Sequence, residues 1–246
     1  MFEQFAFYFP AKDVDKQIHL YLPDNYEESK EHFPVVYMYD GHNLFFDEDA
    51  TYGTSWGLLD FMDTYDKQVI IVGIECSHEE GERIREYCPY PVDTQYFGHV
   101  AGYGDVYMDW LVNELKPFID DNYPTIPNRE ATAIAGSSMG GLMAFYSVIA
   151  HNDVFSKAGA LSPAFGFAVP ELEAEIAQHD IDPDTRVFFS YGDEEVNFER
   201  LKPTATFNDA IIEAGGKTHV HIEEGGDHSE ATWRKQNRLY MDFLWK

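Results

Sequence analysis

Read for the spacing of its apolar side chains, the chain resolves into short strands and helices. Two early runs, FEQFAFYFP and KQIHLYLP, alternate apolar and polar positions, the period of antiparallel strands with one solvated face. Later runs do not alternate. PVVYMYD (34–40), QVIIVGIE (68–75), ATAIAGSS (131–138), KAGALSP (157–163) and TRVFFSYGD (185–193) are close to continuously apolar, which suits parallel strands covered on both faces. THVHIEE (218–224) is a further strand. Between them SWGLLDFMDTY (55–65), VYMDWLVNELKPFIDDNYP (106–124), VPELEAEIAQHD (169–180) and TATFNDAIIEAGG (204–216) have helical spacing, and TWRKQNRLYMDFLWK closes the chain as a helix. The stretch from Gly140 to about His151 is apolar nearly all round and predicts a deeply buried helix.

Strands and helices alternate through the second half, so the expected class is α/β. The sheet should be mostly parallel, with antiparallel N-terminal strands and helices on both faces, in one domain spanning 1–246. The least regular segment, 76–105, is rich in Tyr, His, Gly and Pro. It is too long for an ordinary connection, which marks it for function.

With 246 residues and 44% hydrophobic side chains, the chain can bury a full core and is not of disordered composition. It offers no membrane span, and its first residues lack a basic region and cleavage site, so a cytoplasmic protein is expected. Cys76 and Cys88 then read as reduced thiols. No Cys/His spacing resembles a zinc site, and neither metal nor organic cofactor is expected. The net charge of −27 repels phosphate backbones and anionic lipid, which removes nucleic acid and membranes from the expected partners.

Candidate chemistry concentrates in Gly136-Ser137-Ser138-Met139-Gly140, a G-x-S-x-G pattern with a strand before it and a helix after it. A turn this sharp strains its central residue, and flanking glycines remove side chains that would clash. Only Ser138 has glycine two residues away on both sides, so Ser138 is the candidate nucleophile and Ser137 packs beneath the turn. A Walker-type loop would need a lysine after the glycines, where Leu142 and Met143 stand.

A serine hydroxyl needs a base, and the base needs an orienting acid. His151 ends the buried helix at the wrong end of the sheet, His179 ends a surface helix, and His219 and His221 share one face of a strand. His228 lies in a loop just past that strand, at the end of the sheet where Ser138 emerges, and is the candidate base. By position Asp193, Glu194 and Glu195 all qualify as the acid. The oxyanion donors expected are the backbone N–H of Met139 and that of His42 in the turn Asp40-Gly41-His42-Asn43.

These blocks carry a resemblance. YMYDGHNLFFDE, RIREYCPYP, the stretch from FIDDNYP to LSPAF and GGDHSEATWRKQ together resemble the Putative esterase family of α/β-hydrolases. That family includes enterochelin-esterase-like proteins, feruloyl esterases, S-formylglutathione hydrolase and the antigen 85 mycolyltransferases. The resemblance covers about Val35 to the C-terminus. It implies the α/β-hydrolase fold, Ser138 as nucleophile, His228 as base, and oxyanion donors at His42 and Met139. It also implies Glu195 as the acid, three residues after the glycine that ends its strand, with Asp193 second.

The expected function is therefore hydrolysis of a small-molecule carboxylic ester through an acyl-enzyme, with no cofactor. An acyltransferase on the same scaffold and a non-catalytic binding protein of this fold are the alternatives. The substrate wall is expected from Trp56 and from Tyr96, Phe97, His99 and Tyr103 of the irregular segment.

Overall fold

The continuous apolar runs become the buried strands of one large sheet. A computed structural model describes residues 1–24, 26, 30–95 and 97–246. Its strands are β1 (Phe2–Phe9), β2 (Val14–Tyr21), β3 (Val35–Tyr39), β4 (Ile70–Ile74), β5 (Pro91–Thr94), β6 (Gly98–Ala101), β7 (Thr132–Ser137), β8 (Lys157–Leu161), β9 (Arg186–Gly192) and β10 (Lys217–Glu223). Eight form a sheet of order β1-β2-β4-β3-β7-β8-β9-β10, and β5 pairs with β6 in a separate hairpin. β1 and β2 run antiparallel to their neighbours, and every pairing from β4 to β10 is parallel. Every residue of β3, β4, β7 and β8 is buried, as burial on both faces requires.

The helices are α1 (Leu58–Met62), α2 (Glu82–Glu86), α3 (Gly104–Trp110), α4 (Lys116–Asn122), α5 (Met139–Ala150), α6 (Val169–Gln178), α7 (Phe198–Glu213), α8 (Glu230–Lys235) and α9 (Asn237–Trp245). A π-helical turn, Leu111–Leu115, joins α3 to α4. One face of the sheet packs on α3 to α7 through Leu111, Ile119, Phe145, Leu172 and Phe207. The other packs on α1, α8 and α9 through Leu58, Met62, Trp233, Tyr240 and Leu244. α5 is buried along nearly its whole length, as its all-round apolar sequence predicts. Among the described residues no helix is long and apolar enough to cross a membrane.

Two boundaries differ from the sequence pattern. α7 begins at Phe198, six residues before the Thr204 start that the sequence pattern suggests, because Asn197 caps it: its side-chain oxygen accepts the Arg200 N–H at 3.0 Å. The closing segment is two helices rather than one, with Gln236 between them. Cys76 and Cys88 are free, buried thiols.

The topology sets where chemistry can occur. β3 pairs with β4 on one side and β7 on the other, so the strand order reverses there. Register then aligns the carboxyl ends: Met38 lies opposite Ala135, Ser137 opposite Leu161, Leu161 opposite Ser190, and Gly192 opposite Glu223. The loops after β3, β7, β9 and β10 therefore emerge side by side.

Candidate active site

Ser138 stands at the turn between β7 and α5 with φ 57° and ψ −120°, a conformation rarely open to a residue with a side chain. Three backbone hydrogen bonds hold it there. Its N–H donates to the Leu161 carbonyl at 3.0 Å, and its own carbonyl accepts from the N–H groups of Leu142 and Ala164, both at 3.0 Å. The turn is too tight for side chains beside it. A Cβ on Gly136 would lie 2.9 Å from the Gly140 carbonyl, and one on Gly140 would lie 2.9 Å from the Tyr39 Cβ.

The loops after β9 and β10 are stitched together. The Asp193 N–H donates to the Glu223 carbonyl at 3.0 Å and the Glu194 N–H to the Gly226 carbonyl at 2.9 Å. Gly192 and Gly226 permit this approach, since a Cβ on Gly192 would sit 2.1 Å from the Gly226 oxygen. The result brings Glu195 to His228, whose Nδ1 lies 2.6 Å from Glu195 Oε2. Asp193 and Glu194 are exposed, whereas Glu195 turns inward. Its Oε1 accepts from the Gly192 N–H at 2.9 Å and from the Ser162 hydroxyl, which in turn accepts the Trp233 indole N–H at 2.9 Å. Arg200 Nη1 donates to Oε2 at 2.6 Å. Burial pushes the Glu195 carboxyl up, but the hydrogen bonds from His228, Ser162 and Gly192 outweigh it and hold it below the ordinary glutamate value. The His228 ring also meets the Trp233 indole edge-on, with centroids 5.3 Å apart.

The loop after β3 forms the other side. Asp40 has a left-handed backbone (φ 59°) and starts a 3-10 turn over Gly41–Asn43. Arg83 grips its carboxylate with two hydrogen bonds of 2.7 Å, and the Asp40 N–H donates to the Tyr87 hydroxyl at 3.1 Å. Burial pushes the Asp40 carboxyl up, and the Arg83 charge more than offsets this, leaving it below its usual value. Burial pushes the His42 imidazole below its ordinary value, against the opposing pull of the Asp40 charge.

These loops enclose a cavity of about 340 Å³ lined by Asp40, His42, Arg83, Ser138, His228 and Trp233, among others. Ser138 and His228 thus face the same space, with Glu195 behind His228. Met139, buried, opens α5 immediately after Ser138.

The expected substrate wall is placed differently. Trp56 is buried in the core against Trp233 and Tyr240. Phe97 and His99 belong to the outlying β5–β6 hairpin, packing on Phe167 and pairing with Asp93 respectively. Tyr103 donates to Glu82 and lies under the Lys12 ammonium. None of these four lines the Ser138 cavity, and Tyr96 lies outside the described residues. The irregular segment contributes its first part instead, through Cys76, Ser77, His78 and Arg83. Sequence reasoning did not single out Ser162, Trp233, Arg83 or Arg200 as individual site residues. The RIREY block contained Arg83 without giving it a task.

Comparison with known proteins agrees with this architecture. Residues 12–237 match the family model described as Putative esterase. The uncharacterized protein YbbA of Bacillus subtilis (strain 168) is 27% identical over 246 residues, covering 95% of this chain and 94% of that one. An IroE-like serine hydrolase from Shewanella oneidensis has a similar structure (TM-score 0.74, 20% identity, covering 99% of this chain and 79% of that one). So does the BES protein from Bacillus cereus (TM-score 0.75, 19% identity, covering 99% and 94%).

The contacts above predict two stability effects. Gly192→Ala forces the Glu195 and His228 loops apart and should lower unfolding free energy by about 1–3 kcal/mol. Gly166→Ala, whose Cβ meets nothing within 4 Å, should change it by less than about 0.5 kcal/mol. Equal urea midpoints for the two variants would contradict the close approach. Arg83→Leu leaves the Asp40 carboxylate buried and unpaired, which should cost about 3 kcal/mol at pH 7. Asp40 has a depressed folded value, so its paired form stabilises the native state above the unfolded pKa of about 3.9 and loses that contribution as pH falls. The deficit of Arg83→Leu should therefore shrink toward pH 4, where Asp40 in the variant takes up a proton. A deficit of equal size at pH 7 and pH 4 in urea denaturation would reject this account.

Proposed function

The chain belongs to the Putative esterase family, and we propose that it hydrolyses small carboxylic esters with Ser138, His228 and Glu195 acting as a triad through an acyl-enzyme. The observation that carries this reading is the shared cavity of Ser138 and His228, with His228 Nδ1 held by Glu195 from behind.

Each part has a physical task. The strained turn aims the Ser138 hydroxyl at the ester carbonyl carbon. His228 takes the hydroxyl proton as the bond forms, and Glu195, ionised at neutral pH, fixes the tautomer with hydrogen on Nδ1 and stabilises the imidazolium. The carbonyl oxygen becomes an oxyanion, which the N–H groups of Met139 and His42 receive. Met139 stands at the start of α5, where unsatisfied donors favour negative charge. His228 then returns the proton to the leaving alcohol. Water enters the open cleft, loses a proton to His228 and attacks the acyl carbon; as the acyl–oxygen bond breaks, His228 passes that proton to the Ser138 oxygen, releasing the acid and the free serine. The cavity is at the small end of ligand sites, which suits a compact acyl or alcohol group.

Ser162 and Arg200 position Glu195 rather than touch substrate. The Trp233–Ser162–Glu195 chain of donors keeps the carboxylate from rotating away from His228. Arg200 supports the other oxygen, Oε2, the one that faces His228, from solvent.

Ser138→Ala should reduce hydrolysis of p-nitrophenyl acetate by about 10⁴-fold or more with no loss of thermal stability. Retention of wild-type turnover would reject Ser138 as nucleophile. Glu195→Gln should lower kcat by about 10³-fold or more, and Asp193→Asn, at an exposed position, by less than about threefold. The reverse ranking would move the acid.

A further inference from the structure

Beside the cleft lies a group of ligating side chains that ester hydrolysis does not use. His42 follows β3, and Glu75 and His78 follow the adjacent parallel strand β4, whose Ile74 lies opposite Tyr39. Their side chains offer two imidazole nitrogens and a carboxylate oxygen, all within 4.8 Å of one another. We propose that His42, Glu75 and His78 bind a divalent transition-metal ion of the zinc class at the rim of the active-site cavity.

The state of His42 is the strongest observation. The ring is only 6% exposed. Its Nε2 lies 3.0 Å from the Thr51 hydroxyl, and its Nδ1 is buried with no hydrogen-bond partner. A buried ring nitrogen without a partner is costly, and the cost disappears if its lone pair binds a cation. With hydrogen on Nε2 donating to Thr51, Nδ1 carries that lone pair. The ring meets His78 edge-on at 4.8 Å between centroids.

The surroundings prepare the other two ligands. Gln4 Nε2 donates to His19 Nδ1 at 3.0 Å, so His19 carries its hydrogen on Nε2 and donates it to Glu75 Oε2 at 2.8 Å. This orients the carboxylate and leaves Oε1 directed at His78, 2.5 Å away. A histidine behind a ligating carboxylate is the kind of outer support that metal sites use. His78, 60% exposed, can turn as the ion enters. Its hydrogen moves to Nδ1, which reaches water, and Nε2 becomes a ligand. Zinc bonds of about 2.0–2.1 Å require ligand atoms roughly 3.4 Å apart, so separations of up to 4.8 Å close by as much as about 1.4 Å, while Glu75 Oε1 and His78 Nε2, now 2.5 Å apart, open by about 0.9 Å.

Two imidazoles and one carboxylate favour a borderline ion such as Zn²⁺ over Mg²⁺ or Ca²⁺, which prefer all-oxygen sites. Three protein ligands leave a fourth position open. His42 and His78 line the same cavity as Ser138 and His228, so that position faces the cleft. The net charge of −27 raises the local concentration of divalent cations around the chain. A bound ion would pin the His42 ring, and with it the turn that carries the His42 N–H.

Chelator-treated protein titrated with Co²⁺ should develop visible absorption that saturates at one ion per chain, and Zn²⁺ should displace it. His78→Ala, a change at an exposed position, should weaken Co²⁺ binding by about tenfold or more, and Glu75→Gln likewise. Circular dichroism checks that both variants fold. Ser138→Ala should bind as the wild type does, so binding and hydrolysis fail independently. Absence of a saturable site, or unchanged affinity in folded His78→Ala, would overturn the proposal and leave Glu75 as a hydrogen-bond acceptor shared by His19 and His78.

Discussion

Three neighbouring strands of the sheet, β3, β7 and β8, are each followed by a residue with a side chain and a positive φ: Asp40 (59°), Ser138 (57°) and Ser162 (44°). Among the described residues only Asp13 shares this property outside the site. Each such residue costs roughly 1–3 kcal/mol and persists only where its surroundings hold it. Here the clamps are visible. Arg83 and Tyr87 hold Asp40, while Leu161, Leu142 and Ala164 hold the Ser138 backbone. The Ser162 N–H donates to the Ser190 carbonyl at 2.7 Å. Parallel pairing places the three bends in one row: Asp40 and Ser138 line the cavity, and Ser162, buried behind it, bonds the Glu195 carboxylate.

The row is completed by an approach that only glycine allows. Gly192 and Gly226 bring the β9 and β10 loops close enough for Glu195 to reach His228. Glu195 is then the electrostatic centre of the site, with donors from backbone, hydroxyl, guanidinium and imidazole. Ser162 is shared between the two themes. Its bent backbone ends β8, and its hydroxyl links Trp233 in the opposite helical layer to the carboxylate. Packing, strain and charge are thus coupled through single residues.

Much of this was legible in the sequence. Apolar runs marked the parallel strands because burial on both faces leaves no room for polar alternation. Glycines around Ser138 marked the bend because close backbone approach excludes a Cβ. The pattern failed where the deciding contact is remote. Trp56 has the look of a cleft aromatic, but Trp233, far along the chain, claims it for the core. Pro203 hides the start of α7 because the Asn197 cap outweighs one missing N–H. Ser162 carries no motif, since its task comes from Trp233 and Glu195. The two histidines and the glutamate beside the cleft match no Cys/His zinc spacing. Glu75 and His78 are three residues apart on one loop, and the pairing of β3 with β4, which local periodicity does not encode, brings His42 to them.

The account rests on a covalent bond forming at the strained serine. It is tested most directly by mixing the protein with excess p-nitrophenyl acetate, quenching in acid within the first turnovers, and locating the added acetyl group by peptide mass spectrometry. The account predicts one acetyl group, on the peptide bearing Ser138 and on that hydroxyl. Steady turnover with the acetyl group on another residue, or with none trapped at Ser138 under conditions that show a burst of p-nitrophenol, would contradict it.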